Sequence, residues 1–209
     1  MKIPYKIHCR GCNKDKYIFL SIDEHNFQRN CDCGYDLSGF FDSSVTTGIR
    51  LLYRSTYELM EIKDYCMSIV FSATAIECEL SRLYFKWRDL DSIFQPERVT
   101  SDQLENDIRK FSSIDKKIDE IARLMFPNGI SEFANHHVEL RSTVTDGFPS
   151  LDINNLSKSF QQKLFWPRNR ILHLAYTKYN YIDARRCYNI AKLGLMLLEK
   201  LDNYRQNAS

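Results

Sequence analysis

The stretch DYCMSIVFSATAIECELSRLYFKW, beginning at Asp64, constrains this chain more than any other. Its residues Ile69, Ala73, Ile76, Leu80, Leu83 and Trp87 recur at spacings of four and three, so on a 3.6-residue helix they form one stripe over about five turns. A stripe of that length has to be covered. No alternating strand pattern follows residue 41, so other helices must cover it.

The flanking segments supply them. TTGIRLLYRSTYELM, residues 46–60, puts Ile49, Leu52, Tyr53, Thr56, Leu59 and Met60 along one face, with EIKD as the connection to the long helix. SDQLENDIRKFSSIDKKIDEIARLMF opens on a Ser/Asp cap and repeats Leu104, Ile108, Phe111, Ile118, Ile121 and Met125 before PNG stops it. SEFANHHVELRST is a shorter helix, and 152–174 and 181–203 are the last two. The fold class is mainly α, a bundle of about five or six helices.

With 209 residues, 44% apolar and 27% charged, the chain can bury a real core. No apolar run approaches the roughly 18 residues of a membrane span, so no membrane partner is expected. MKIPYKIHCRGC has no apolar signal-peptide region, which makes the cytoplasm the expected compartment. A net charge of +2 gives no whole-molecule argument for nucleic acid, yet residues 156–190 hold seven Lys/Arg against one Asp. Neither G-x-G-x-x-G nor a P-loop is present, and G-x-S-x-G and H-E-x-x-H are absent as well. His136 and His137 are adjacent, so on a helix they point about 100° apart and do not chelate one ion together. They read as packed or interfacial residues.

The N-terminal residues 1–41 read as a small β module separate from the helical domain of 42–209. Cys9 and Cys12 form CRGC, and 18 residues later Cys31 and Cys33 form CDCG. Two close pairs on tight turns can aim four thiolates at one tetrahedral zinc ion, which makes the module a zinc ribbon. Gly11 and Gly34 suit such turns, and KYIFLSI between the pairs reads as a strand. The second pair is C-x-C where C-x-x-C is usual, and disulfides are the competing reading, disfavoured by the odd cysteine count and the expected compartment. His8 and His25 lie close enough to be ligands and read instead as surface residues. Four thiolates leave zinc no open position, so its role here is structural.

WPRNRILHLAYTK, residues 166–178, places Arg168, Asn169, Arg170 and His173 in an otherwise apolar helical stretch. Pro167 either starts a helix there or kinks one. Asn169 and His173 are i,i+4 on one face, Arg170 lies on the adjoining edge, and Arg168, about 140° away, must reach round to join them. A helix start beside an imidazole, an amide and guanidinium groups suits a phosphate. Tyr176, Tyr179 and Tyr181 follow, and could stack on unpaired bases.

Arg168-Asn169-x-x-x-His173 resembles the R-x4-6-H signature of the HEPN superfamily of helical ribonucleases and nucleotide-binding domains. The element order is also similar over about residues 44–203: two helices joined by a short turn, the second carrying SATAIECELSRLY with Glu77 at the stripe's edge, then the motif and a closing helix. The resemblance implies metal-independent RNA cleavage, in which the ribose 2′-OH attacks the adjacent phosphate, leaving a cyclic phosphate and a 5′-OH. It implies Arg168, Asn169 and His173 as catalytic residues, and Glu77 matches a charged position of the second helix in such domains, with a structural hydrogen bond as its other reading. Arg170 is not the motif's arginine but lies nearer His173 on helical geometry, so it competes with Arg168 for the phosphate; Lys178 is a further candidate toward the substrate. The resemblance further implies a homodimer that joins two motifs in one cleft, and a toxin or anti-phage role with a cognate inhibitor or defence-system partner. The alternative is a non-catalytic adaptor that binds a nucleic acid, nucleotide or protein.

Overall fold

The computed structural model describes residues 2–21, 24, 26–40, 46–94 and 156–208, with positions 106, 117, 121, 123, 129 and 132. Apart from those positions, the helices expected over 101–126 and 131–143, with His136 and His137, lie outside the described residues, as does His25.

Strands β1 (Lys2–Cys9) and β2 (Lys14–Ser21) form an antiparallel hairpin in which Ile3 pairs with Leu20 and Tyr5 with Ile18. These four side chains are buried. The short strands β3 (Asn26–Phe27) and β4 (Gly39–Phe40) make a second antiparallel pair, on which the second cysteine turn is mounted. The CRGC turn takes its left-handed residue from Asn13, at φ 54°, and not from Gly11. Gly11 is required for another reason, because a Cβ there would lie 2.7 Å from that of Tyr35. Gly34 does take the left-handed role, at φ 83°.

Helix α1 (Thr47–Tyr57) is capped by Thr46, whose hydroxyl accepts from Ile49 N–H. It runs into a π-turn, Glu58–Ile62, closed by left-handed Lys63. Asp64 then caps the long helix α2 (Tyr65–Phe94) through Met67 N–H, so the EIKD connection reduces to Lys63 and Asp64. In α2, Ile69, Ala73, Ile76, Leu80 and Leu83 are buried as the stripe requires. The expected face of α1 is only partly right. Leu59 is buried, but Tyr53 and Met60 are exposed, and the side that meets α2 carries Gly48, Leu51 and Ser55. Ser55 Oγ bonds Ser68 O at 2.8 Å and the hydroxyls of Ser68 and Ser72 at 3.0 and 2.7 Å. Small residues with satisfied hydroxyls let the two helices approach closely, and hydrophobic periodicity is blind to them.

One apolar cluster extends from Ile3, Tyr5, Ile18, Leu20 and Phe27 of the hairpin to Leu51, Ile76, Leu80 and Leu198 of the helices. Polar ties reinforce it: Arg54 donates to Lys2 O at 3.2 Å, and Tyr17 to Glu61 at 2.8 Å. Arg54 also pairs with the buried Glu58.

The C-terminal segment is helical from Leu156, as α3 (Leu156–Phe160), a π-turn (Gln161–Phe165) and α4 (Trp166–Leu174). After a six-residue turn, α5 (Tyr181–Ala208) closes the chain and packs along α2. Asn180 caps it reciprocally: its side chain accepts from Ile182 and Asp183 N–H, while Asp183 accepts from Asn180 N–H. Lys86 and Arg82 on α2 both reach the largely buried Asp202 on α5. No helix among the described residues is long and apolar enough to cross a membrane.

Candidate metal centre and motif helix

At the tip of the ribbon the sulfurs of Cys9, Cys12, Cys31 and Cys33 lie within 4.8 Å of one another. Cys9 and Cys33 are 3.6 Å apart, and Cys12 and Cys31 3.8 Å. A tetrahedron with metal–sulfur bonds of about 2.3 Å has edges of about 3.8 Å, so the four thiols fit a metal ion between them. All seven cysteines are free thiols. Burial acts to raise Cys9, but the Cys12 N–H and the thiols of Cys31, Cys33 and Cys12 outweigh it and bring Cys9 down to about 6. Cys12 is raised to about 11 by burial and by the other three thiols. One thiolate forms easily, at Cys9, while Cys12 and Cys33 are both raised, as acids sharing one site are. His8 stays outside the cluster, its ring bonded to Asp15 and Asn13 at 3.0 Å each.

Of the two readings of Pro167, the structure takes the interior one: the chain is helical from Leu156 to Leu174, within the helix expected over 152–174, so Pro167 opens no N-terminal anion site. Proline cannot donate to the carbonyl four residues back and its ring collides with that group in a regular helix. Here the preceding turn is widened, with Trp166 N–H reaching back to Gln161 O. The carbonyl that Pro167 cannot serve is that of Lys163, and it accepts the thiol of Cys187 on α5 at 3.2 Å. Burial and nearby Asp183 push that thiol up to about 12, so it remains a donor. His173 therefore lies in the last turn of α4, whose partial negative charge favours a cation and not an anion.

Within α4, Trp166, Asn169, Arg170 and His173 stand at i, i+3, i+4 and i+7 and share the outer face; Asn169 and His173 are exposed. Arg168 is on the opposite side. Instead of reaching round to His173 it donates to Glu77 on α2 at 3.1 Å and to Asn169 Oδ1 at 2.9 Å. Its Nε is buried without a hydrogen bond. Burial raises Glu77 above the usual carboxylate range, against the opposing pull of Arg168 and Lys117. Glu77 also lines an open groove with Thr47, Thr74 and Glu79.

Arg170 lies over the ring of Tyr176 at 3.9 Å and that of Trp166 at 5.1 Å. Tyr176 meets Tyr179 edge-on at 4.9 Å, and Tyr179 OH donates to Pro167 O at 3.4 Å. Ala175, at φ 49°, ends the helix, and its N–H and that of Tyr176 both reach Arg170 O. The turn thus folds back and braces the outer face, with Lys178 exposed upon it. Of the tyrosines expected to be free for bases, Tyr176 is taken up by Arg170, and Tyr181 packs on Tyr65 at 6.2 Å. Trp166 escaped the sequence reading. Its signal was its place four residues before Arg170 and seven before His173. No family model, curated protein or solved structure matches this chain.

Proposed function

We propose that the chain is a metal-independent endoribonuclease of the HEPN type that works as a homodimer, with zinc held structurally by Cys9, Cys12, Cys31 and Cys33. The observation that carries this reading is the outer face of α4, where an exposed imidazole, an exposed amide and a guanidinium stand together. His173 removes the proton of a ribose 2′-OH, which attacks the adjacent phosphate. The His173 of a second copy protonates the departing 5′ oxygen, so that a cyclic phosphate and a 5′-OH remain. Arg170 meets the phosphoryl oxygens and Asn169 orients the phosphate or the imidazole. Arg168 fixes the motif helix on α2 through Glu77. Exposed Leu172, Leu174 and Ile182 offer the second copy an apolar surface. In the cell such an enzyme acts as a toxin or in anti-phage defence, under a cognate inhibitor or defence-system partner.

The test is incubation of labelled RNAs with purified protein and no added divalent cation. Cleavage to cyclic-phosphate ends is expected, and His173→Ala abolishes it with an unchanged circular-dichroism spectrum. Wild type and variant behaving alike across varied RNAs sinks the nuclease. The adaptor reading then takes over, and the engagement of Arg168 by Glu77 already favours it.

A further inference from the structure

Trp166 is 59% exposed, an unusual situation for an indole, and it stands at the first position of a polar stripe. It is not loose, because the Arg170 guanidinium lies 5.1 Å from its ring and is itself held 3.9 Å from Tyr176. The three side chains form a layered stack in which the cation stiffens the outer ring without covering it from solvent. Seven residues of helix separate Trp166 from His173, roughly 10 Å along the axis at 1.5 Å per residue. Residues 156–190 carry seven Lys/Arg against one acid, Asp183, which is committed to capping α5, and Lys178 on the adjoining turn is exposed.

We propose that Trp166, backed by Arg170 and Tyr176, is a stacking platform for an unpaired nucleobase, seating single-stranded RNA along α4 so that a neighbouring phosphodiester faces His173. This rests on the ribonuclease reading for its substrate. An exposed flat ring offers a π-face to any base, whereas a base locked in a duplex has no free face to stack, so the platform selects unpaired strands with little sequence preference.

The test uses the full chain carrying His173→Ala, so that RNA survives, and fluorescein-labelled 12-nucleotide oligo(U) and oligo(A), each free or annealed to its complement. Trp166→Ala in that background is expected to weaken single-strand binding between about 5- and 150-fold, the range for loss of one stacked base. Trp166→Phe should stay within a few-fold of the parent, and duplex binding should be unchanged. Equal single-strand affinity with and without the indole overturns the proposal. So does a Trp166→Ala chain that elutes as a smaller species with its RNA affinity intact, since the indole is then a subunit contact. In the His173-containing chain, cleavage with an unaltered KM after Trp166→Ala sinks the platform and leaves the nuclease standing. Indole-dependent RNA binding by a chain that cleaves no RNA does the reverse.

Discussion

The guanidinium of Arg168 meets the carboxylate of Glu77 at 3.1 Å across the contact between the motif helix and α2, both side chains largely withdrawn from water. The pair separates the two arginines by task. Arg168→Ala leaves Glu77 half-buried without its cation and is expected to cost about 1–3 kcal/mol in urea unfolding. Arg170→Ala breaks only the outer stack and should unfold almost as wild type while losing RNA cleavage. Cleavage lost with Arg168→Ala at full stability, and kept with Arg170→Ala, would reverse that assignment.

Glu77 also sets a pH dependence. Its folded-state pKa lies above that of the unfolded chain, chiefly through burial, so between those two values the native protein binds the extra proton. Its contribution to stability is accordingly greatest below the unfolded value, near 4.5, and declines as pH rises through the folded one. Unfolding free energies from pH 4 to 7 should show this decline in wild type and less of it in Glu77→Gln. Parallel curves for the two proteins would remove Glu77 as its source.

The Cys187 thiol and the Lys163 carbonyl are coupled through Pro167. Cys187→Ala removes the donor from a part-buried carbonyl and is expected to cost about 1 kcal/mol. Pro167→Ala restores a backbone N–H, so Cys187→Ala should cost measurably less in that background. A double-mutant cycle with no coupling energy would show that the thiol is only packed there.

Metal removal tests the ribbon. One zinc per chain is expected by elemental analysis, with none after serine replaces both Cys31 and Cys33. Because the hairpin shares its apolar cluster with the helices, stripping the metal should lower the melting temperature of the whole chain and not only erase a local transition. A metal-free chain with an unchanged melt would limit the thiols to a passive role.

Close approach of α1 to α2 depends on Gly48. A Cβ there would stand 2.8 Å from the Ala75 carbonyl oxygen, and backbone cannot step aside. Gly48→Ala is expected to destabilise by about 1–3 kcal/mol despite its better helix propensity, as measured by thermal unfolding.

The contrasts among these sites explain which parts of the fold were legible in the sequence. The α2 stripe was readable because Ile69, Ile76, Leu80 and Leu83 bury by hydrophobicity at helical spacing, and that is what periodicity measures. The four cysteines were readable because two close pairs on tight turns can bring four sulfurs together, and the structure places them within 4.8 Å of one another. The α1 contact with α2 was not, since Gly48 and Ser55 pack by being small, and on the far side of α1 Arg50 is buried at 1% exposure, with its guanidinium reaching Glu24 O. Whether Pro167 starts a helix or sits inside one stayed open in the sequence, because the thiol that makes an interior proline tolerable lies 24 residues beyond the Lys163 carbonyl it serves. Shared faces within α4 followed from spacing alone. The choice of Glu77 by Arg168 did not, because it depends on where α2 lies.

The widened turn over Gln161–Phe165 also acts as a rotational offset. Each helical residue turns the chain by about 100°, so one residue more or fewer before Trp166 would swing everything after it by that angle relative to α3. Arg168 would leave Glu77, and the stripe of Asn169, Arg170 and His173 would face a different direction. The aim of the outer face is therefore set by the length of the segment before it, so a one-residue deletion there would redirect the site without altering any of its side chains.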